Sequence, residues 1–165
     1  KLVDIMGKKQ EKTNVMRILD KEHIKYQAYD YTKLNVISGM DVAASLGEDF
    51  NHVFKTLVTV AKSGNHYVFV LPVNKELDLK KCAKAVNEKS IAMELSKNLL
   101  ALTGYIHGGC SPIGMKKQFK TIIARESQGL ETIIVSGGKI GYQIEINLED
   151  LKRIINYELK DICEE

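Results

Sequence analysis

The chain has 165 residues, a length that fits one domain with an ordinary hydrophobic core and argues against a two-domain enzyme. Hydrophobic residues make up 44% of it and charged residues 27%, proportions that exclude a disordered or fibrous protein. Its 24 basic and 21 acidic residues leave a net charge of +3, so any nucleic acid would be bound through local lysine clusters and not through a uniformly basic surface.

Cysteine usage and hydropathy predict a cytoplasmic protein with no membrane segment. The three cysteines, Cys82, Cys110 and Cys163, are odd in number and lack the short spacing of a zinc knuckle or a redox dithiol. No stretch approaches the ~20 apolar residues that cross a bilayer, and the N-terminus lacks the apolar core of a signal peptide. Residues 1–5 precede Met-Gly, a natural start, so we treat them as an added remnant and predict a single domain over 6–165.

The first third of the domain predicts two capped helices separated by a short strand. Thr13 can N-cap the first helix, and a strand follows over 25–31. Ser38 and Asp41 then form a capping-box pattern ahead of a second helix, for which Gly47 is the stop signal.

The middle third predicts a hairpin followed by two helices. β-branched residues alternate on both sides of a Ser-Gly-Asn turn at 63–65, which indicates a hairpin over 54–73. Asp78 caps the next helix, and a further helix runs from Ser96 to Gly104.

The last third predicts short strands over 105–107, 120–124, 131–135 and 140–146. The final two flank the turn Ser136-Gly137-Gly138-Lys139, a second hairpin, and Asn147 caps the last helix. Helices that interrupt a mainly antiparallel sheet define an α+β fold. Both hairpins are apolar on more than one face, so the sheet is expected to be curled or covered on both sides.

The residues with metal-binding or nucleophilic chemistry do not form a known motif. The four histidines share no i, i+4 pairing with each other or with a cysteine, which disfavours a zinc deaminase or protease. No G-x-S-x-G sequence supports a serine nucleophile. We therefore expect neither a metal nor a cofactor.

Two glycine-rich segments are candidates for a pocket. In the segment 108–117, Met115 displaces the lysine that a P-loop requires, so that comparison fails on mechanism. Its backbone N–H groups can still form an anion nest or an oxyanion hole, and the alternative is a tight surface turn. Cys110 has no base nearby in sequence and is best interpreted as a buried, inert thiol. Hairpin geometry alone explains the second segment, 136–141, although two such loops suggest a shared pocket.

Lys55 lies on the same strand face as Leu57 and Thr59, where an ammonium group in a partly apolar space would serve a purpose. The alternative is an edge-strand lysine that protects against aggregation. Lysines also cluster at 80–84 and 116–120, where they could meet a phosphate backbone or simply be solvated.

Taken in order, these elements resemble one family, the YbaK/prolyl-tRNA synthetase-associated editing domains. The resemblance runs from Thr13 to Ile162 and includes Lys12-Thr13-Asn14, Tyr29-Asp30, Val53-Phe54-Lys55-Thr56-Leu57, Leu77-Asp78-Leu79-Lys80-Lys81, Thr103-Gly104-Tyr105 with Gly108 to Gly114, and Val135 to Lys139 with Gly141. Within the family the chain is most similar to the free-standing type, the cysteinyl-tRNA(Pro) deacylases.

The resemblance implies a barrel-like mixed sheet with surrounding helices and a metal-free pocket that cleaves a mischarged aminoacyl ester from the 3′ end of a tRNA. A proline-sized pocket cannot strongly reject amino acids of similar size, so a second site must remove the error. For a cysteinyl ester the implied mechanism is substrate-assisted, because the substrate's own thiol attacks the carbonyl carbon. The implied partners are the aminoacylated tRNA and prolyl-tRNA synthetase.

The resemblance also assigns roles to individual residues. Lys55 matches the functional lysine that would orient the ester or the terminal phosphate, and it is the predicted catalytic residue. The predicted substrate-binding residues are Tyr29, Thr56, Gly108, Gly109, Ser111, Ser136 and Gly137.

Two departures from the family leave the preferred amino acid open: Gln27 stands where relatives often have histidine, and Val36-Ile37-Ser38 where some place an aromatic residue. An alanyl-tRNA(Pro) editor is therefore one alternative. A non-catalytic tRNA-binding module that accompanies a synthetase, or a small-molecule phosphate binder, are the others.

Overall fold

A computed structural model of the chain describes residues 11–165, and the remnant predicted at 1–5 lies outside them. The helices are α1 (Asn14–Lys21), α2 (Gly39–Leu46), α3 (Leu79–Ala85), α4 (Ser96–Thr103) and α5 (Leu148–Leu151). The strands are β1 (Tyr26–Asp30), β2 (Phe54–Ala61), β3 (His66–Pro72), β4 (Ile91–Met93), β5 (Lys120–Ala124), β6 (Thr132–Ser136), β7 (Tyr142–Asn147) and β8 (Tyr157–Lys160).

Four of the five helices, all but α4, begin at capping residues that the sequence predicts. Thr13 accepts a hydrogen bond from the backbone N–H of Met16 at 3.2 Å, and Ser38 accepts one from Asp41 at 3.1 Å. The side chains of Asp78 and Asn147 cap α3 and α5 in the same way. Each cap satisfies an N–H group that has no partner within its own helix.

The strands form two sheets that meet at one point. Strands β1, β7 and β6 make an antiparallel sheet, and the second sheet has the order β4-β2-β3-β5-β8, with β3-β5 and β5-β8 parallel. An isolated parallel bridge between Val53 and Ile134 joins the two sheets. The α+β class and the mixed, mainly antiparallel pairing are confirmed, but the strands of residues 11–165 do not close into a barrel.

Short or parallel strands are where the sequence-based prediction is wrong. The strand predicted over 105–107 is a loop, because Tyr105 turns its N–H to the hydroxyl of Thr103 and its own hydroxyl to the carbonyl of Ile113. The prediction also missed β4, which has three residues, and β8, which pairs only with the parallel strand β5. Neither strand is long enough to show an alternation in sequence.

Apolar side chains cover both faces of the five-stranded sheet, as expected. Alternate residues of β3 divide between the faces, with Val68 and Val70 in the larger cluster and Phe69 and Leu71 in the smaller one. A third cluster lies beneath α2, where Ala43 packs near the bridge between the sheets. Among the described helices none is long and apolar enough to span a membrane.

Candidate active site

A cavity of about 670 Å³ opens beside the first half of β2. Residues 53–58 form one wall, and the other walls come from the start of α2, the segment after β4, α4 and the two glycine-rich loops. The lining residues used below are Lys55, Thr56, Glu94, Gly108, Cys110, Ser136 and Gln143. The walls are predominantly apolar with few polar groups, which is the usual character of a small-molecule or cofactor site.

Lys55 contributes a cationic side chain to the wall of this cavity. Its side chain is 25% exposed, and Nζ lies 3.5 Å from the carboxylate of Glu76. Both interpretations of Lys55, as an edge-strand lysine and as a pocket lysine, apply here. Among the described residues this stretch of β2 pairs with β3 alone, and its other edge lies in the cavity wall. Because Glu76 is 76% exposed, an anionic ligand can displace it from Lys55 at little cost.

The two glycine-rich loops pack against each other and both reach the cavity. A Cβ on Gly109 would lie 3.0 Å from the backbone nitrogen of Ile140, so any larger residue would push the two loops slightly apart. Gly108 lines the cavity from the first loop and Ser136 from the second. The shared pocket that the two loops suggest is therefore present.

Four of the predicted site residues line the cavity, namely Lys55, Thr56, Gly108 and Ser136, and four do not. Gly109 and Gly137 lie behind the wall: Gly109 in the contact between the loops, Gly137 against the backbone of Tyr142. Ser111 is fully buried, and its hydroxyl accepts from the N–H of Ile113 at 3.3 Å.

Tyr29, the remaining predicted residue, lies on β1 directly opposite Gln143. Its hydroxyl donates to Glu145 at 2.6 Å, a bond that, together with burial, raises the pKa of Tyr29 to about 12. The phenol is therefore neutral at physiological pH. Tyr29 does not line the cavity itself, but its strand partner Gln143 does.

Gln143 is a cavity residue that sequence reasoning missed. With its amide nitrogen directed at Glu48, it donates to both carboxylate oxygens at 3.2 and 2.8 Å. Burial, reinforced by the charge of Glu145, raises the pKa of Glu48, and the bond from Gln143 opposes that shift. The position follows from the strand pairing of β7 with β1 and β6, which sequence alone does not reveal.

Glu94 is the second missed residue and the acidic group of the cavity. Its carboxylate accepts from the side chain of Asn98 and the N–H of Leu95, both at 2.8 Å, and lies 2.8 Å from Nε2 of His66. These partners, with Asn98 the largest contributor, hold the pKa of Glu94 below its ordinary value. The cavity therefore presents a cation at one position and a carboxylate at another.

Cys110 brings a thiol into the cavity wall. Burial raises its pKa to about 11, so it is not an activated nucleophile. The interpretation of Cys110 as buried and inert agrees with this environment. Among residues 11–165, His, Cys, Asp and Glu side chains do not gather in groups of three or more that could hold a metal ion.

Comparison with known protein families identifies the class of protein to which this fold and cavity belong. The family model described as an aminoacyl-tRNA editing domain matches residues 37–154, most of the chain. The chain belongs to this family. The predicted resemblance is thereby confirmed, and so is the prediction of an editing enzyme.

Individual relatives agree with this assignment. The chain is 47% identical over 156 residues to a protein of Enterococcus faecalis provisionally named Cys-tRNA(Pro)/Cys-tRNA(Cys) deacylase EbsC, covering 94% of this chain and 95% of that one. It is 28% identical over 133 residues to a proline–tRNA ligase of Fervidobacterium nodosum, covering 80% of this chain but only 23% of the ligase. A crystal structure described as a provisional trans-editing enzyme for prolyl-tRNA synthetase has the same fold, with a TM-score of 0.79 at 19% identity over 94% of this chain and all of that one.

Proposed function

We propose that this protein deacylates cysteinyl-tRNA(Pro) and that the reaction takes place in the cavity beside β2. The single observation that carries the proposal is the cavity itself: it joins Lys55 to the glycine-rich loops in a chain whose Enterococcus relative, nearly half identical, is named for this activity. Its volume suits one aminoacyl group with part of a nucleoside.

Three cavity features have roles in the proposed reaction. Lys55 binds an anionic or carbonyl oxygen of the substrate 3′ end after leaving Glu76. The loop at Gly108 brings backbone close to the ester, and Ser136 provides the polar wall opposite. Catalysis by such a site is positioning and electrostatic stabilisation of the oxyanion.

The nucleophile comes from the substrate. The cysteinyl thiolate attacks the ester carbonyl carbon, a C–S bond forms, the C–O bond to the ribose breaks, and the ribose 3′ oxygen takes up the proton that the thiol has lost. The resulting thiolactone is opened by water. The protein supplies no nucleophile in this scheme, which agrees with the unactivated state of Cys110.

We propose that the tRNA body is chosen with the help of prolyl-tRNA synthetase and that the protein acts in the cytoplasm. The similarity to parts of two proline–tRNA ligases, 20% and 23% of their lengths, supports a link to that enzyme. A net charge of +3 offers few phosphate contacts for holding a whole tRNA unaided.

A panel of esters tests the proposal. Deacylation of cysteinyl-, alanyl-, seryl- and prolyl-tRNA(Pro) is followed with the purified protein, with spontaneous hydrolysis as the blank. We expect turnover of the cysteinyl ester alone, since only it carries a thiol. Preferred turnover of the alanyl ester would replace the proposal with an alanyl editor, and tight tRNA binding without ester loss would replace it with a binding module.

A further inference from the structure

Within residues 11–165, the first half of β2 has an edge that no strand covers. Ile134 bridges to Val53 at one end, and pairing with β4 begins only at Thr59. Residues between these points pair with β3 on one side, and among the residues that the structure describes no strand pairs with their other side. The same residues form a wall of the cavity.

The direction of the backbone groups along this edge follows from the hydrogen bonds at its ends. Ala61 donates to Asn65 and Val53 accepts from Val73, so odd-numbered residues of this strand point their backbone groups toward β3. Val58 instead accepts from the N–H of Glu94 at 3.0 Å, on the opposite side. Backbone groups alternate along a strand, so the N–H and C=O of Thr56 point to the open side.

The side chain of Thr56 adds an unsatisfied hydroxyl on the same residue. Its Oγ1 is buried, and no described atom forms a hydrogen bond with it. A buried hydroxyl without a partner costs free energy, and natural proteins keep few of them. Thr56 thus turns an N–H and a C=O toward the open edge beside the cavity that it lines, and its hydroxyl lies buried on the same residue without a partner among the described atoms.

We infer that Thr56 binds the aminoacyl group as a strand residue binds its partner, an inference that rests on the proposed function. In antiparallel pairing two opposite residues exchange both of their hydrogen bonds, so one residue with an α-amino N–H and a carbonyl complements another. An aminoacyl ester carries this pair of groups. The α-amino group donates to the C=O of Thr56, the N–H of Thr56 donates to the ester carbonyl oxygen, and Oγ1 bonds the same ester.

This mode of binding spares correctly charged tRNA. Proline carries a ring carbon in the direction in which the N–H of an extended residue points, and its ring fixes that geometry. The free secondary amine of a prolyl ester still has an N–H, but the ring fixes its direction away from that of an extended strand residue, so we expect a prolyl ester to pair less well than cysteinyl, alanyl and seryl esters. The edge separates proline from the others, and the requirement for a thiol separates cysteine from the rest.

Amide exchange tests the backbone pairing without turnover. The probe is 3′-alanylamido-3′-deoxyadenosine, which cannot be cleaved as an ester, at saturating concentration with ¹⁵N-labelled protein. We expect hydrogen exchange of the Thr56 amide to slow at least tenfold, while the Leu57 amide, already directed at β3, serves as the internal control. If the probe binds and exchange at Thr56 is unchanged, the inference is overturned.

A modified substrate distinguishes this inference from the proposed function. The 3-sulfanylpropanoyl ester of tRNA(Pro) keeps the thiol and lacks the α-amino group, and we expect its KM to exceed that of the cysteinyl ester by about tenfold. Equal KM values would refute the paired binding and leave deacylation intact. If the wild-type protein cleaves neither ester, the proposed function fails. The amide exchange experiment then tests only whether the edge at Thr56 binds an aminoacyl group.

Two conservative variants test the hydroxyl. Thr56→Val keeps shape and backbone but removes Oγ1, and we expect KM to rise about 3- to 10-fold while the Tm is unchanged or higher, because an unsatisfied group has been removed. Thr56→Ser should retain the wild-type KM. A wild-type KM in Thr56→Val, or a Tm that falls as it would for a hydroxyl bonded within the fold, overturns the role of Oγ1.

Discussion

The two halves of β2 carry the same residue type in opposite circumstances. In the second half, Thr59 is fully buried between β3 and β4, and its hydroxyl donates to the carbonyl of Tyr67 at 2.9 Å. In the first half, Thr56 has one strand neighbour, and its hydroxyl has no hydrogen-bond partner among the described residues. In the second half the fold supplies both strand neighbours and a partner for the hydroxyl. In the first half we propose that a bound ligand supplies the missing partners.

The difference shows how a sheet can contribute backbone groups, beside the side chain of Lys55, to a candidate site. Pairing with β4 stops at Thr59, so the sheet itself leaves backbone donors and acceptors facing a cavity. Such groups are rigid, because β3 holds the strand from the other side. A preorganised polar edge of this kind stabilises charge without reorganisation during the reaction.

The largest effect is expected for Lys55, the cationic residue in the first half of β2, which is the half with the open edge. Lys55→Ala removes the charge-assisted contact with the substrate that we propose for this residue, so kcat/KM for the cysteinyl ester should fall roughly 10- to 100-fold. Lys62→Ala, just past the closed half, is the matched control and should retain wild-type activity. Equal rates for the two variants would remove Lys55 from the mechanism.

The wall that faces the open half should be sensitive to a single methyl group. In Gly109→Ala the new Cβ would meet the backbone of Ile140 at 3.0 Å, and overpacking of this kind costs about 1 to 3 kcal/mol of unfolding free energy. Urea denaturation measures the loss, and deacylation should also weaken.

Gly64→Ala provides the comparison, since its Cβ would contact nothing and only its positive φ of 93° is strained. It should lose some stability and keep full activity. A Gly109→Ala protein as active as Gly64→Ala would show that the loop contact does not shape the cavity.

The two threonines should respond in opposite ways to the same substitution. Thr59→Val breaks the bond to Tyr67 and should lower the unfolding free energy by about 1 kcal/mol, because a carbonyl buried in the sheet loses a donor. Thr56→Val should not lower it. Parallel urea titrations check this, and equal losses in both variants would contradict the contrast between the halves of β2.

The smallest effect concerns Glu94, which lies where the two halves meet. Its folded pKa is held below the ordinary value of about 4.3, so its contribution to stability is present above that pH and is lost as pH falls through the folded pKa. Glu94→Gln should therefore be less stable than wild type at pH 7, by about 1 kcal/mol or less, and equally stable near pH 2. Thermal unfolding at a series of pH values measures this, and a constant difference would contradict it.

Most of the fold could be predicted because its signals are local. Capping residues such as Thr13 and Asp78, and hairpin turns with glycine, determine where elements start and reverse within a few residues. The misses are non-local: β4 and β8 exist because of the strands they join, and a bridge between residues 53 and 134 cannot be seen in either neighbourhood.

The residues of the candidate site also differ in whether local sequence could predict them. Lys55 and Gly108 stand in motifs that a resemblance identifies, and both line the cavity. Glu94 and Gln143 carry no motif, since they become cavity residues only when strands from distant parts of the chain pair. The edge at Thr56 is open because β4 pairs with β2 only from Thr59 onward, and sequence patterns do not show which strands pair.

The acidity of Cys110 bears on chemical selectivity. With a pKa of about 11, this thiol is almost wholly protonated at neutral pH, and an ordinary cysteinyl thiol, with a pKa of about 8.5, ionises some hundredfold more readily. Two thiols sharing one chamber would otherwise compete for the same acyl group, and transfer to the wrong one would leave the enzyme covalently blocked. In the proposed reaction, burial of Cys110 would keep its thiol from competing with the thiol of the substrate, and alkylating reagents should modify it far more slowly than they modify free cysteine.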